Sequence, residues 1–313
     1  MSASELQRPR LAVTLGDVRG IGPEIVSKAA ASREVRGAAD LVVVGPAGAG
    51  LGVDEATGVW RKTNAADAGR FAGRAIERAV ALALEGHVDG IVTAPIDKAA
   101  LLAGGYDFPG HTEMLATLTG RRVAMMLAAT RPTAGATNPL RVVLATTHLP
   151  LRDVVRALTR EAILNAASVA RTGLIDWFGL SEPRIALCAL NPHAGDGGRF
   201  GREDDELLRP VAAEAGIAGP FPADTVFVRA MHGAFDAVIA PYHDVGMTAI
   251  KVAAFGAAVN VTLGLPFPRC SPDHGTALDI AGTGVADPGS MIESVLLCAT
   301  IARRLAGRTT ETK

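Results

Sequence analysis

The chain has 313 residues, of which 49% are hydrophobic and only 4% aromatic, and its formal net charge is −1. This length is enough for one large domain or for two interleaved lobes, with a sizeable core in either case. The near-neutral charge argues against a bulk attraction to nucleic acid or to an acidic membrane, so an anionic ligand has to be held by a few placed cations.

The cysteines and the N-terminus predict the compartment. Cys188, Cys270 and Cys298 lie far apart in the sequence and form no CxxC pair, which favours a reducing environment. Residues 1–10 lack the apolar segment of a signal peptide, and no apolar run is long enough to cross a bilayer. We therefore expect a soluble, cytoplasmic protein with neither a membrane nor a nucleic acid as partner.

Apolar, strand-like runs alternate with helical patterns along the chain. In order, strands are predicted at LAVTL, LVVVG, VDGIVTA, RVVLATT, RIALCAL, DAVIAP and AVNVTLG. Helices are predicted at PEIVSKAAA, at AGRFAGRAIERAVALALEG and at RDVVRALTREAILNAASVARTG, the last ending at Gly173. For the final helix, Asp287 is the expected N-cap, Pro288 the first residue and Gly307 the residue after its end. This alternation predicts an α/β fold with largely parallel strands.

Three of the predicted strands stop shortly before a histidine, namely His148 in ATTHLP, His193 in LNPHAG and His243 in APYHDVG. The carboxyl ends of parallel strands meet at one edge of a sheet, where ligand sites gather. Three imidazoles suit Zn²⁺ and leave one coordination position open to substrate, and Asp244 is placed to orient such a ligand. The alternative is that each histidine is an ordinary loop residue bonded to backbone.

Two glycine-rich loops stand out. TLGDVRGIGPE follows the first strand, but its spacing is not GxGxxG, so it is not the Rossmann fingerprint and a tight strand-to-helix turn explains it. NPHAGDGGRFGRED follows His193 and is either a flexible loop or an active-site lid.

Several cations and hydrogen-bond donors are candidates for holding an anion. His111 and Thr112 in FPGHTE suit a phosphate or carboxylate, although Thr112 could instead cap the helix that follows. Lys251 and Arg269 each lie in an otherwise apolar stretch, where an unpaired charge is costly. Each therefore needs a carboxylate partner or an anionic ligand.

Together these motifs resemble those of the 4-hydroxythreonine-4-phosphate dehydrogenases of pyridoxal phosphate biosynthesis and their close relatives. The resemblance covers most of the chain and rests on GIGPE, TAPIDKAAL, GHTEMLA, TTHLPL, NPHAGDGGRFGRED, ADTVF, YHDVGM, VNVTLGLPF and DHGTALDIAGTG, in that order. It implies the two-lobe fold of isocitrate and isopropylmalate dehydrogenases, with largely parallel sheets, rather than a Rossmann fold. The expected lobes are 1–130 with 270–313, and 131–269 with the metal-binding strand ends, and the active site is expected in the cleft between them.

The resemblance also implies roles for individual residues. The three metal-binding histidines of the family match His148, His193 and His243. Its substrate contacts match His111, Thr112, Lys251, Asn260 and Arg269. In the family the metal site is shared across a homodimer, which implies an obligate dimer here, with His243 supplied by the partner subunit.

The implied reaction is an oxidative decarboxylation in which NAD, or NADP, accepts a hydride from a secondary alcohol bound to a divalent metal. Zinc is the preferred metal, with magnesium or cobalt as alternatives. The expected substrate is 4-phosphooxy-L-threonine and the product 3-amino-2-oxopropyl phosphate. Asp244 and Lys98 are the candidates for the proton-transfer group, and Asp224 is either a helix N-cap or a residue supporting the site.

Three departures from the family pattern leave the substrate open: Val245 replaces a glutamine, Arg19 adds a cation to the first glycine-rich loop, and Cys270 follows Arg269. Related enzymes act on threonate or erythronate 4-phosphate or on carboxylated cyclic diols. Two alternatives from other classes are a three-histidine metal hydrolase and a non-catalytic binding module.

Overall fold

The structure is a computed structural model that describes residues 8–133, 135–254 and 256–311, the last three without their side chains. Residues 1–7, which carry most of the prediction that a signal peptide is lacking, lie outside the described residues. Among the described helices, none is both long enough and apolar enough to span a membrane.

The chain forms two compact units. The first consists of the residues up to Arg121 together with those from Leu265 onward, and the second consists of Arg122–Gly264. The second unit is thus an insertion between two segments of the first.

Helices and strands alternate through both units. The first unit begins with β1 (Arg10–Thr14), α1 (Gly22–Ala31), α2 (Arg33–Ala38), β2 (Asp40–Ala47), β3 (Glu55–Val59), α3 (Ala65–Leu84), β4 (Gly90–Thr93), α4 (Lys98–Ala103) and α5 (His111–Thr119). The second unit contains β5 (Ala124–Ala129), β6 (Arg141–Leu144), α6 (Leu151–Ala157), α7 (Arg160–Asp176), β7 (Ile185–Cys188), a 3-10 turn (Pro192–Gly195), a π-helical turn (Asp204–Leu208), α8 (Arg209–Ala215), β8 (Ala218–Phe221), α9 (Ala223–Met231), β9 (Ala237–Ala240), α10 (His243–Ala253) and β10 (Ala258–Leu263). The chain returns to the first unit with β11 (Arg269–Pro272) and α11 (Gly289–Glu311).

In the first unit the strands follow the order β3-β2-β1-β4-β11, and each neighbouring pair is parallel. The register places Thr14 of β1 opposite Thr93 of β4, and Arg269 of β11 opposite Ile91. All four residues of β4 are buried, as expected for a parallel strand covered on both faces.

In the second unit the order is β10-β5-β6-β9-β7-β8. Strand β5 runs antiparallel to both β10 and β6, whereas the pairs β6–β9, β9–β7 and β7–β8 are parallel. The carboxyl ends of β6, β9 and β7 are therefore consecutive along one edge. The predicted α/β class with largely parallel strands is confirmed.

The prediction of one helix from Arg152 to Gly173 is wrong. Two helices, α6 and α7, occupy this stretch, because the hydroxyl of Thr159 accepts a hydrogen bond from the backbone N–H of Ala162 and starts a new helix. Gly173 lies inside α7, where a Cβ atom would come within 2.8 Å of Leu263. This glycine permits close packing of α7 on β10 rather than ending the helix.

The last helix begins at Gly289, one residue later than predicted, and it also ends differently. The carboxylate of Asp287 accepts a hydrogen bond from the N–H of Gly289, at 2.8 Å, at the start of α11. Gly307, expected beyond the helix, lies within α11, which continues to Glu311. A single exposed glycine costs only about 1 kcal/mol relative to alanine in a helix, so it does not end one by itself.

Candidate active site

The three histidines that follow strands lie at one edge of the second unit. His148 follows β6, His243 follows β9 and His193 follows β7, and these strands are neighbours in the order β6-β9-β7. Each histidine lies three to five residues beyond the end of a buried strand, so the parallel sheet itself places them on the same edge.

Within one chain, two of these histidines are close together. The ring centroids of His148 and His243 are 5.5 Å apart, with the rings tilted by 42°. Both line a small cavity of about 100 Å³, together with Leu149, Tyr242 and Asp244. A pair of imidazoles at this distance can serve as two ligands of one metal ion.

His193 faces different surroundings. Its ring lies 6.2 Å from that of Phe200, and it lines a larger cavity of about 370 Å³ with Asn191, Asp224 and Val245. Among the described side chains, no group of three His, Cys, Asp or Glu residues is close enough to hold a metal ion. The single chain therefore presents a pair of candidate ligands and a separate third histidine.

Asp244 orients His243. Its carboxylate lies 2.8 Å from Nδ1 of the imidazole. A carboxylate can only accept this hydrogen bond, so a neutral His243 carries its proton on Nδ1 and keeps the lone pair of Nε2. This is the arrangement by which carboxylates commonly set the tautomer of a metal-binding histidine.

The loop that carries His193 has an unusual backbone. His193, Ala194 and Asp196 all have positive φ, at 54°, 56° and 46°, a region that is strained for residues with a side chain. Asp204 is fully buried and accepts hydrogen bonds from the backbone N–H groups of Leu190 and Asn191, at 2.8 and 3.0 Å. These bonds hold the loop just before its strained residues. This favours a loop with a defined conformation over a flexible one.

Tyr242 borders both cavities and was not predicted as a site residue. It precedes His243 and lines the cavity of the His148–His243 pair as well as that of His193. Burial, more than the nearby Cys188 and Asp244, raises the pKa of Tyr242, so the phenol stays protonated at neutral pH. Its position directly before the histidine in PYHDVG was the available signal.

Asp224 lines the cavity of His193 but does not cap a helix. It is the second residue of α9, whose N-cap is Pro222. The N-cap alternative for this residue is therefore wrong, and its carboxylate is available to the cavity wall.

A second cluster of candidate residues lies in the first unit. Arg269 of β11 is only 1% exposed, and its Nη2 donates a hydrogen bond to the hydroxyl of Thr93, at 2.5 Å. Burial, followed by the positive charges of Arg269 and Lys98, lowers the pKa of His111 well below its ordinary value. His111 is thus a neutral imidazole beside two cations, an arrangement that suits an anionic group.

The first turn of α5 contributes to the same cluster. His111 is the first residue of this helix and Thr112 the second, while Gly110 is the N-cap and makes no side-chain capping bond. The alternative that Thr112 caps the helix is therefore wrong. The buried Nε2 of His111 has no hydrogen-bond partner among the described residues, which is unusual for a buried polar atom in the absence of a ligand.

Lys98 is the first residue of α4 and is exposed. The carboxylate of Asp97 caps that helix by accepting from the N–H of Ala100, at 2.8 Å. The position of Lys98 is that of a solvated lysine at the start of a helix. Its positive charge nevertheless helps to lower the pKa of His111. Lys98 therefore belongs to the cluster around His111 and Arg269.

Two predicted substrate contacts lie in the second unit. Lys251 is in the last turn of α10 and Asn260 is in β10. The side-chain oxygen of Asn260 is buried and has no hydrogen-bond partner among the described residues. A ligand donor would satisfy it.

Two departures from the family pattern are accounted for by packing. Arg19 binds the buried carboxylate of Asp17 through Nε and Nη2, the latter at 2.6 Å, so its charge is paired. Cys270 is buried close to Cys298, and burial raises the pKa of Cys298 well above its ordinary value. Val245, in contrast, lines the cavity of His193.

The chain is similar to proteins of known names over nearly its whole length. The family described as "Pyridoxal phosphate biosynthetic protein PdxA" matches residues 25–298. A 4-hydroxythreonine-4-phosphate dehydrogenase from Burkholderia vietnamiensis is 42% identical over 331 residues, covering 97% of this chain and 98% of the relative. A relative from Bradyrhizobium diazoefficiens, provisionally named D-threonate 4-phosphate dehydrogenase, is 40% identical and covers 91% of this chain and 94% of its own length.

Solved structures give the same result. The crystal structure of 4-hydroxythreonine-4-phosphate dehydrogenase from Klebsiella pneumoniae matches with a TM-score of 0.82 at 38% identity, covering 96% of this chain and 100% of that one. A β-decarboxylating dehydrogenase from Thermococcus kodakarensis shares the fold alone, with a TM-score of 0.51 at 16% identity over 93% and 81% of the two chains. The expected non-Rossmann dehydrogenase fold is confirmed, and the resemblance seen in the motifs is confirmed as well. The chain is therefore an oxidoreductase and belongs to the PdxA family of pyridoxal phosphate biosynthetic proteins.

Proposed function

We propose that the protein catalyses the NAD-dependent, metal-dependent oxidative decarboxylation of a phosphorylated hydroxy acid, 4-phosphooxy-L-threonine, to 3-amino-2-oxopropyl phosphate. The observation that carries the phosphorylated substrate is the cluster of Arg269, His111 and Lys98 in the first unit. The name of the Burkholderia relative, at 42% identity, supports the reaction.

The residues around His148 suit a divalent metal. His148 and His243 provide two adjacent imidazoles, and Asp244 fixes the second one with Nε2 available for coordination. Nitrogen ligands favour zinc, with magnesium or cobalt as the alternatives. When bound, such an ion would supply Lewis acidity at the substrate hydroxyl, and NAD or NADP would accept the hydride.

The protein's own residues would bind and orient the substrate. Arg269 and Lys98 would hold the phosphate through charge-assisted hydrogen bonds, and His111 would add a neutral N–H. Thr112, Lys251 and Asn260 are the further substrate contacts that the family resemblance implies. Such anchoring would restrict the orientation of the bound substrate. Asp244 and Lys98 remain the proposed proton-transfer groups, and the hydrogen bond to His243 gives Asp244 a positioning role as well.

We further propose a homodimer in which a second copy completes the metal site. The support is that one chain brings together two candidate ligands, while no group of three lies together among the described side chains. The family resemblance assigns the contribution in trans to His243. The adjacency of His148 and His243 within one chain makes His193 the competing assignment.

The buried cysteines support a cytoplasmic location. Cys188, Cys270 and Cys298 are all unbridged and buried, as in proteins of reducing compartments.

A second candidate substrate is D-threonate 4-phosphate. The observation that favours it is Val245, an apolar side chain in the wall of the cavity that His193 and Asp224 line, together with the name of the Bradyrhizobium relative. The two substrates share the phosphate and the secondary alcohol and differ at C2, which carries an amino group in one and a hydroxyl in the other. A change in the polarity of a cavity wall is the kind of difference that discriminates them.

A substrate panel tests these proposals. Purified protein is incubated with 4-phosphooxy-L-threonine, D-threonate 4-phosphate, erythronate 4-phosphate and a carboxylated cyclic diol, each with NAD or NADP and with zinc, magnesium, cobalt or EDTA. We expect NADH formation with 4-phosphooxy-L-threonine and its loss with EDTA. Turnover of D-threonate 4-phosphate alone would replace the first substrate by the second. Turnover that EDTA leaves intact would refute the metal, and hydrolysis without NADH would favour the metal hydrolase.

A further inference from the structure

Thr93 is placed to hold the side chain of Arg269. Strands β4 and β11 are parallel, and Arg269 pairs with Ile91. Thr93 lies two residues beyond Ile91, so its side chain is on the same face of the sheet as that of Arg269. The hydroxyl of Thr93 accepts the hydrogen bond from Nη2 of Arg269, at 2.5 Å, and both residues are essentially inaccessible to solvent, at 0% and 1% exposure.

The chemistry of the acceptor matters for this arginine. A buried guanidinium is costly unless it is hydrogen-bonded. A carboxylate in the position of Thr93 would add a negative charge beside the guanidinium, whereas a hydroxyl accepts from one N–H without adding a charge. Burial lowers the pKa of Arg269 only to about 10, so the side chain is charged at neutral pH.

We propose that Thr93 is a positioning residue that orients the guanidinium of Arg269 for the anionic group of the substrate through a neutral hydroxyl. This inference rests on the proposed function, because it takes the cluster of Arg269, His111 and Lys98 as the site of the substrate phosphate. Thr93 acts through Arg269 and does not itself contact the reacting atoms. Thr93 is the first residue of the motif TAPIDKAAL, but the sequence alone does not show that its hydroxyl contacts Arg269.

The neighbouring strand offers a matched control. Thr14 of β1 lies opposite Thr93 in the register, is 1% exposed, and its hydroxyl has no hydrogen-bond partner among the described residues. Thr14→Val and Thr93→Val therefore each remove one buried threonine hydroxyl, from two adjacent strands. Only the second removes a bond to Arg269.

The experiment compares wild type, Thr93→Val, Thr93→Ser and Thr14→Val in steady-state kinetics with 4-phosphooxy-L-threonine and NAD. Inorganic phosphate serves as a competitive inhibitor. We expect Thr93→Val to raise both the KM and the inhibition constant of phosphate about tenfold, with a smaller change in kcat. Thr93→Ser, which keeps the hydroxyl, and Thr14→Val should both stay within about twofold of wild type. Equal effects of Thr93→Val and Thr14→Val would overturn the proposal.

A second measurement separates this inference from the choice of substrate. Inorganic phosphate that binds the folded state raises the Tm of the protein. If wild type does not turn over 4-phosphooxy-L-threonine but phosphate raises its Tm and not that of Thr93→Val, the substrate is wrong and the role of Thr93 stands. If phosphate raises neither Tm, the role of Thr93 is refuted. Should Thr93→Val not fold, Thr93→Cys, with its weak sulfur acceptor, carries the same comparison.

Discussion

Asp244 and Val245 are neighbours in α10, yet they contact different parts of the candidate site. The carboxylate of Asp244 bonds to Nδ1 of His243, whereas Val245 lines the cavity of about 370 Å³ that His193 and Asp224 border. Under the proposed function, Asp244 would orient a metal ligand and Val245 would affect which substrate fits. We therefore expect substitutions at the two positions to affect different properties of the enzyme.

We predict that His111 stays neutral in the free protein. Burial, then Arg269 and Lys98, hold its pKa well below the ordinary value, so the unfolded chain gains a proton here as the pH falls below about 6.5 while the native state does not. The stability contributed by this group is therefore complete above that pH and is lost below it. NMR titration should show the depressed pKa, and added phosphate should raise it.

His87 provides a control for this titration, because it is an exposed histidine, at 63% exposure. His111→Gln should flatten the decline of the unfolding free energy between neutral and mildly acidic pH, relative to wild type and to His87→Gln. Equal slopes in the two variants would show that His111 is protonated in the native state.

Parts of the candidate site were predictable from the sequence and others were not. The strand ends before His148, His193 and His243 are visible as apolar runs, since buried parallel strands are nearly continuous in apolar residues. Thr93 opens the motif TAPIDKAAL and Tyr242 opens the motif YHDVGM, but neither motif reveals what these two side chains contact. The role of Thr93 depends on the register of β4 against β11, and register between distant segments is not encoded in local periodicity.

At the scale of elements, the loop after β7 is the most constrained part of the second unit. It leaves the strand at Cys188, passes through positive φ at His193, and ends in a π-helical turn at Asp204–Leu208. The buried Asp204 closes the loop by binding the N–H groups of Leu190 and Asn191. The strain at His193 is thereby offset by charge-assisted hydrogen bonds at the base of the loop.

We predict that Asp204→Ala destabilises the protein by about 3 kcal/mol, because two buried N–H groups lose a charged acceptor. Chemical denaturation measures this loss, and limited trypsin digestion should show faster cleavage after Arg199 and Arg202. The matched control is Asp205→Ala. That carboxylate is 41% exposed and pairs with Arg209, so its removal should cost less than about 1 kcal/mol. Equal stability of the two variants would contradict the role given to Asp204.

Several elements escaped prediction for physical reasons. Strand β5 has the sequence AMMLAA, whose Ala and Met residues favour helix over strand. Its pairing with β10 on one side and β6 on the other decides its conformation. The break between α6 and α7 depends on one capping hydroxyl within a continuous amphipathic pattern. In the first case tertiary strand pairing, and in the second a single capping hydrogen bond, overrides the secondary structure that the local sequence pattern predicts.

At the scale of the whole molecule, mixed dimers test how a second copy completes the metal site. If His243 of the partner subunit joins His148 and His193, mixing His148→Ala with His243→Ala restores activity, whereas mixing His148→Ala with His193→Ala does not. If His148 and His243 act in one chain and His193 comes from the other, mixing His148→Ala with His193→Ala restores activity. Mixing His148→Ala with His243→Ala then does not. Random pairing leaves about a quarter of the sites intact in the active mixture.

The readouts are NADH formation and the zinc content of the mixed preparations. Each variant alone should be inactive and low in zinc, because each lacks one ligand of every site. No recovery in either mixture, with dimer exchange shown by a tagged subunit, would mean that the site is not shared between copies.

The insertion of the second unit into the first affects the order in which the site forms during synthesis. Residues up to Arg121 leave the ribosome early, but β11, α11 and Arg269 follow only after the whole of Arg122–Gly264 has been made. Until then β4 lacks its neighbour β11. Thr93 and His111 also lack the guanidinium of Arg269, which is close to both in the folded protein. The emerging chain therefore carries an unpaired strand edge through most of translation, and the cluster of Arg269, His111 and Lys98 is among the last features to assemble.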